Sequence, residues 1–141
     1  MLSLTITNSV SELAALEPFV EQLCEAYNLD MPLAFSLQLV LDEAVSNVVN
    51  YAYGDATGMP VTIHADMTDT DRGRQLMLQI VDEGTPFNPI EEAPEVDTTL
   101  SAEERQIGGL GIFLIRQTMD HLSYERKDGQ NIFTLTKNIG S

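Results

Sequence analysis

The feature that most constrains the fold is an amphipathic helix predicted over residues 33–53, with Pro32 suited to its first turn. At about 100° per residue, the apolar side chains of this segment fall on one stripe. The members of the stripe are Leu33, Leu37, Val40, Leu41, Ala44, Val48 and Ala52. Glu43, Asn47 and Asn50 recur beside it at spacings of four and three, so they stack along one edge of the helix. Asp42 and Ser46 are expected to point further round, toward solvent.

The polar row beside the stripe has two interpretations. Taken alone, a solvated helix edge is the simpler one, and the floor of a ligand pocket is the other. Asparagine is a poor residue in helix interiors, so two of them on one edge favour a ligand. A hydrated Mg²⁺ fits, since it takes oxygen ligands and often binds one protein group plus phosphates; Asn47 is the candidate. Glu43, one turn away, is a candidate base in front of a γ-phosphate.

The rest of the chain alternates between strand and helix patterns. Strands are predicted at residues 2–7, 60–67, 75–82, 122–127 and 131–137. Further helices are predicted after a capping box at Ser9–Glu12, with Pro18 as a kink or the true start, and over residues 109–121. Residues 84–107 hold three prolines and no clear periodicity, so they are predicted to form a long loop. The pattern predicts one α+β domain over residues 1–141, a two-layer sandwich of a mixed, mainly antiparallel sheet with about three helices on one face.

Composition narrows the class of protein. The chain has 141 residues, 22 acidic and 7 basic, for a net charge of −15. That charge argues against binding nucleic acid or anionic membranes and is compatible with a protein partner that carries basic patches. The one cysteine, Cys24, excludes an internal disulfide and a cysteine-built metal site. No apolar run approaches the ~20 residues of a membrane span, so a cytoplasmic location is expected.

Two glycine-containing turns are further candidates for ligand contacts. Asp82-Glu83-Gly84 ends a predicted strand and can present a carboxylate to the amino group of a purine, although such turns are also common without a ligand. Gly108, Gly109 and Gly111 precede an apolar helix, where backbone N–H groups can approach an anion. A lid hinge plus an ordinary helix start is the alternative. No Gly-Lys-Ser/Thr follows, so this is not a Walker A loop.

Taken in order, these motifs resemble the GHKL superfamily of Bergerat-fold ATP-binding domains. The segments DEAVSNVVNYAY, DEGTPFNP and GGLGIFLIR are similar to signatures of its stand-alone anti-sigma-factor serine/threonine kinases. The resemblance covers nearly the whole chain and implies ATP and Mg²⁺ as ligands.

The resemblance also implies roles for individual residues. Glu43 would be the general base and Asn47 the Mg²⁺ ligand. Asp82 would accept from the adenine amino group, with Gly84 allowing close approach. Gly109 and Gly111 would form the phosphate cradle. An ATP lid is implied at about residues 88–107. Asn50 is a candidate nucleotide contact. Arg105, the one basic residue of the lid, is a candidate contact to the γ-phosphate or to a partner.

Two positions depart from the superfamily pattern. Pro86 stands where the broad superfamily has a second glycine, a change that the anti-sigma branch often tolerates. Gln130 and Asn131 follow Gly129, where many members have a threonine near adenine. Either residue, or a water molecule, is a candidate substitute.

The function implied by the resemblance is an ATP-dependent serine/threonine protein kinase that acts as an anti-sigma regulatory factor. Its expected partners are a small STAS-type antagonist protein, which it would phosphorylate, and a sigma factor, and many members of the family are homodimers. The alternative is a nucleotide-gated protein-binding module with little or no phosphotransfer; retention of Glu43 favours catalysis. A sensor histidine kinase is disfavoured, because no dimerising helical hairpin carries an acceptor histidine.

Overall fold

The computed structural model describes residues 1–92 and 107–140. Its strands are β1 (Leu2–Thr7), β2 (Pro60–Thr70), β3 (Gly73–Asp82), β4 (His121–Lys127) and β5 (Gln130–Gly140). Its α-helices are α1 (Leu16–Tyr27), α2 (Met31–Tyr51), α3 (Pro89–Glu92) and α4 (Ile107–Thr118), and a 3₁₀ helix at Val10–Ala15 precedes α1. Of the helices within these ranges, none has the length and apolar character needed to cross a membrane.

The strands form one sheet in the order β1-β2-β3-β5-β4. In the part of the chain that the structure describes, every pair of neighbouring strands is antiparallel. The central strand β3 pairs with β2 on one side and β5 on the other, so that Ile80 lies opposite Ile63 and Phe133. The predicted α+β sandwich is therefore confirmed.

The core lies between one face of the sheet and the helices. Burial alternates along β2 and β3, as expected when only one face of a sheet is covered. The helix α2 packs against both α1 and α4 and contributes six buried apolar side chains, Leu37, Val40, Leu41, Ala44, Val45 and Val48. The predicted stripe is buried except for Leu33, which is partly exposed, and Val45 is fully buried beside it. The packing of α1 and α4 against α2 therefore determines which edge of α2 faces the sheet.

The start of α2 follows the capping rules, whereas the predicted capping box before α1 is wrong. Asp30 caps α2 by accepting a hydrogen bond from the backbone N–H of Leu33 at 2.9 Å. Ser9 makes no side-chain cap bond. Residues 10–15 instead wind as a 3₁₀ helix, and the Glu12 carboxylate accepts from the Thr7 hydroxyl at 3.1 Å. Pro18 lies in the first turn of α1, where a missing N–H costs nothing.

Two other segments differ from their predictions. Strands β2 and β3 extend further toward their shared turn than predicted, because the antiparallel pairing continues to Thr70 and Gly73. The segment predicted as one long loop contains the short helix α3. Most of the predicted ATP lid, and Arg105 with it, lies outside the described residues.

Candidate functional site

Asn47 is one of three polar side chains buried among the described residues, and it lies on α2 in the second half of that helix. Only 3% of its surface is exposed. Its Nδ2 atom has no hydrogen-bond partner among the described residues. An unpaired buried amide is costly and calls for an explanation, such as a ligand or water. The sequence predicted Asn47 at the border of the core, and the structure places it deeper.

Glu43 lies one helical turn before Asn47 and is partly buried. Burial raises the pKa of its carboxyl group, and the negative charge of Asp42 raises it further. A raised pKa brings a carboxylate closer to the range in which general bases work well at neutral pH. This environment is compatible with a general base, and the role of Glu43 in catalysis stays a prediction.

The outer edge of α2 only partly follows the sequence prediction. Asn50 is exposed, and no hydrogen bond to another described residue holds its side chain near Asn47. Asp42 and Ser46 are partly buried, although both were predicted to face solvent. For Asp42 the reason is α1, which packs alongside α2 and covers this flank of the helix.

Asp82 ends the central strand β3 and is only 4% exposed. Its Oδ1 atom accepts two hydrogen bonds, from the backbone N–H of Gly84 at 2.9 Å and from Nδ2 of Asn131 at 2.9 Å. Burial raises the pKa of this carboxyl group, and the bonds from Asn131 and Gly84 and the charge of Arg126 partly oppose that rise. No described residue donates to Oδ2. The hydrogen bonds to Oδ1 hold the carboxylate in place, and Oδ2 is left as an acceptor for a ligand.

The turn after Asp82 is hydrogen-bonded to the end of α2, a contact called the latch below. The carbonyl oxygen of Ala52 accepts from the backbone N–H of Thr85 at 2.9 Å and from its hydroxyl at 3.1 Å. A Cβ atom on Gly84 would overlap that same carbonyl oxygen. Tyr53 adds a further link, because its hydroxyl accepts from the backbone N–H of Glu83 at 2.6 Å. Glycine at position 84 is therefore required by close packing of backbone on backbone.

Asn131 is the residue of this site that the sequence left undecided. It is 3% exposed and lies directly opposite Asp82 in the register of β3 and β5. Its Nδ2 donates to Asp82 and to the carbonyl oxygen of Thr85 at 2.7 Å. Its Oδ1 accepts from the hydroxyl of Tyr124 at 2.5 Å. Asn131 is therefore the residue after Gly129 that bonds Asp82, which its alternation with Phe133 and Leu135 could have indicated. A contact of Asn131 with adenine stays a prediction.

Comparison with known proteins identifies the family. The model of the histidine kinase-like ATPase domain matches residues 6–137. The chain belongs to this family. The serine/threonine-protein kinase BtrW of Bordetella bronchiseptica is 38% identical over 104 residues, which are 74% of this chain and 70% of BtrW. The anti-sigma F factor of a Thermoanaerobacter strain is 27% identical over 129 residues, 91% of this chain and 78% of that protein.

A solved structure shares the fold of this histidine kinase-like ATPase domain. The crystal structure of the SiaB–SiaC complex from Pseudomonas aeruginosa contains a chain that matches with a TM-score of 0.55 at 18% identity. The match covers 97% of this chain and 89% of that one. This match shows the fold, and the named relatives confirm the predicted resemblance to the stand-alone anti-sigma kinase branch of the superfamily.

The glycine-rich segment of this ATPase domain lies inside a helix. The sequence predicted that the helix starts at about Gly109, but α4 begins at Ile107. Gly108 and Gly109 therefore occupy the first turn of α4, and Gly111 lies just beyond it. The first four N–H groups of a helix have no partner within it, so this placement still leaves donors for an anion. The role of these glycines in phosphate binding stays a prediction.

The donor set fits magnesium better than a metal held by protein alone. No cluster of three or more His, Cys, Asp or Glu side chains suited to a metal occurs within residues 1–92 and 107–140. Mg²⁺ commonly keeps several waters and uses one or two protein groups plus substrate phosphates. The amide oxygen of Asn47 would meet that requirement. Its Nδ2, which has no partner among the described residues, is a donor and would bond a phosphate oxygen or a water molecule.

Proposed function

We propose that this chain is an ATP-dependent serine/threonine protein kinase that acts as an anti-sigma regulatory factor. The observation that carries the proposal is the pair on α2, where the buried, unpartnered amide of Asn47 follows one turn after Glu43. A nucleotide-gated binder needs the first group but has less need of a carboxylate with a raised pKa beside it. The names of the relatives BtrW and anti-sigma F factor support the same conclusion.

In this proposal the adenine amino group donates to Oδ2 of Asp82, and Gly84 allows the base to approach by keeping the turn packed against Ala52. The glycines at the start of α4 donate backbone N–H groups to the phosphates, and residues 88–107 form the lid over them. Asn50 and Arg105 remain candidate nucleotide contacts. Asn47 would hold Mg²⁺, which supplies charge neutralisation at the phosphates when bound.

Transfer of the γ-phosphoryl group requires one proton movement that the protein itself can provide. Glu43 takes the proton from the serine or threonine hydroxyl of the substrate protein. The hydroxyl oxygen then bonds to the γ-phosphorus as the bond to the β–γ bridging oxygen breaks, and ADP leaves. A carboxylate with a raised pKa holds that proton better than an exposed one.

The partners follow from the same proposal. The substrate is a small STAS-type antagonist protein, and the competing partner is a sigma factor that is sequestered when the antagonist is phosphorylated. We further propose that residues 1–141 form one domain that works in the cytoplasm and forms a homodimer. The net charge of −15 disfavours direct contact with nucleic acid or anionic membranes.

The test has two arms. A thermal-shift titration of the full chain with ATP, ADP and Mg²⁺ should raise the melting temperature by mass action. Purified candidate antagonist proteins from the source organism are then incubated with radiolabelled ATP and either the native chain or Glu43→Gln. Transfer is expected from the native chain and at least ~10²-fold less from the variant, with ATP binding unchanged.

The outcomes separate the two functions. Mg·ATP binding without transfer to any antagonist, and with no effect of Glu43→Gln, would assign the chain to nucleotide-gated binding. Absence of any thermal shift at millimolar nucleotide would reject the nucleotide site itself.

A further inference from the structure

A groove runs between α1 and α2, away from the nucleotide-site residues. Its volume is about 530 Å³. The side chains that line it come from both helices and are Glu17, Val20, Glu21, Cys24, Met31, Ala34, Phe35, Gln38 and Asp42. Within residues 1–92 and 107–140, none of the groups assigned to nucleotide or catalysis above is among them. Whatever uses this groove is therefore separate from the ATP pocket.

The α2 wall of the groove carries large apolar side chains that water reaches. Met31 is 81% exposed and Phe35 is 68% exposed, and they lie one helical turn apart. Leu39, a further turn along α2 and outside the lining of the groove, is 36% exposed. A single exposed apolar residue is ordinary, but a row of them beside a groove is typical of a surface that binds a partner.

The groove is also acidic. Glu17, Glu21 and Asp42 line it, and no lysine, arginine or histidine of the described residues does. Gln38 donates from Nε2 to the Asp42 carboxylate at 2.9 Å, which fixes that carboxylate within the groove. Burial raises the pKa of Asp42, the bond from Gln38 opposes the rise, and the negative charge of Glu17 adds to it. A cation seated here would relieve this crowding of negative charge.

We propose that the α1–α2 groove binds a cationic amphipathic helix of a partner protein. An amphipathic helix presents anchors three to four residues apart, which is the spacing of Met31 and Phe35 on the facing wall. Lysine or arginine at its flanks would meet the three carboxylates. The proposal does not rest on the function proposed above, because it needs neither nucleotide nor phosphotransfer.

Charge decides against two other occupants. A second copy of this chain, docked groove to groove about a two-fold axis, would bring the same carboxylates face to face. A membrane with anionic lipids would be repelled by a protein of net charge −15. A cationic helix is the occupant that satisfies both the apolar wall and the acidic lining.

The experiment uses the full chain and a fluorescein-labelled peptide of leucine and lysine designed as an amphipathic helix. Two control peptides have glutamate in place of lysine, or the same composition scrambled so that no apolar face forms. Binding is followed by fluorescence anisotropy at about physiological salt. The amphipathic cationic peptide should bind at least ~10-fold more tightly than either control.

Matched variants locate the binding surface. Phe35→Ala should weaken binding about 10-fold, the scale of an aromatic anchor, whereas Phe113→Ala, at a residue of α4 that is 51% exposed, should change it less than about 2-fold. Glu21→Gln should weaken it about 3-fold, and Glu25→Gln, an exposed α1 residue outside the groove, should not. All four side chains are exposed, so thermal melting should show an intact fold.

Equal losses in each matched pair would mean attraction to the overall charge and would overturn the proposal. So would equal binding of the glutamate peptide, or no binding up to about 1 mM. Self-association of the chain that Phe35→Ala removes would assign the groove to a second copy. Binding to anionic vesicles that Phe35→Ala removes would assign it to a membrane. The cysteine in the groove gives an independent check, because the bound peptide should slow alkylation of Cys24.

Discussion

At the scale of single residues, Asn47 combines an unfavourable environment with a candidate function. A buried amide group without a hydrogen bond costs about 1–3 kcal/mol. A core position on α2 offers no structural benefit for asparagine, which is a poor helix former. The fold therefore carries a cost at this position that a ligand can offset, and stability and function should respond to its mutation in opposite directions.

We expect Asn47→Ala to melt at the same temperature as the native chain, or higher, when no nucleotide is present. The alanine removes the unpaired amide, although the small cavity it leaves offsets part of the gain. The further rise in melting temperature with Mg·ATP should disappear. Differential scanning fluorimetry with ATP, with and without Mg²⁺, measures both effects. A variant that keeps the native Mg·ATP response would remove Asn47 from the site.

The geometry of Asp82 predicts a change in purine preference. In Asp82→Asn, the amide oxygen can still accept from Gly84 and Asn131, so the turn should persist. The second oxygen then becomes an NH₂ group, which meets the adenine amino group donor to donor. We expect ATP affinity to fall by about 10- to 100-fold, as for an unpaired buried donor, and a 6-oxo purine nucleotide such as ITP to lose less. Calorimetric titration with both nucleotides measures the ratio.

That ratio also identifies the atom involved. Equal losses for ATP and ITP would mean that Asp82 does not read the purine edge. Unfolding of the variant would instead assign the carboxylate a purely structural role beside Asn131.

At the scale of elements, the site depends on how the β3 turn is latched to the end of α2. Gly84→Ala should destabilise the chain by about 1–3 kcal/mol, because its Cβ would overlap the Ala52 carbonyl oxygen and push the turn away. The displaced turn moves Asp82, so ATP affinity should fall as well. Chemical denaturation and nucleotide titration of the same sample measure both changes.

Gly58→Ala is the matched control. Gly58 has a φ of +70° with open space around its Cβ position, so alanine there costs about 1–2 kcal/mol through backbone strain alone. It should leave ATP affinity unchanged. Similar affinity losses in the two variants would mean that general destabilisation, and not the latch, governs nucleotide binding.

The contact between the β3 turn and the end of α2 could not be predicted from the sequence. Helical periodicity predicted the buried stripe of α2, and alternation together with turn residues predicted all five strands, because these patterns are local in the sequence. The contact between Gly84 and Ala52 joins residues far apart in the chain, and the pairing of Asp82 with Asn131 depends on strand order. Asp42 was misassigned for a related reason: its burial comes from α1, which no pattern within α2 reveals.

At the scale of the whole molecule, the burial of acidic side chains makes stability depend on pH. Among the described residues, Asp42, Glu43 and Asp82 have raised carboxyl pKa values, with burial as the largest cause in each case. A folded-state pKa above the unfolded value means that the folded chain holds the proton more tightly. The associated stability is fully present below the unfolded pKa, about 4, and is lost as pH rises through the folded value. At neutral pH these three groups therefore weaken the fold.

We expect Asp42→Asn to raise the free energy of unfolding at neutral pH and to lose that advantage as the pH falls through the raised pKa of Asp42 toward about 4. The asparagine oxygen can still accept from Gln38, so the comparison isolates the charge. Glu25→Gln changes the net charge by the same amount at an exposed site and should have a smaller effect. Urea denaturation across this pH range measures both. A gain for Asp42→Asn that does not depend on pH would trace the effect to packing, because a desolvated carboxylate must lose its penalty once it is protonated.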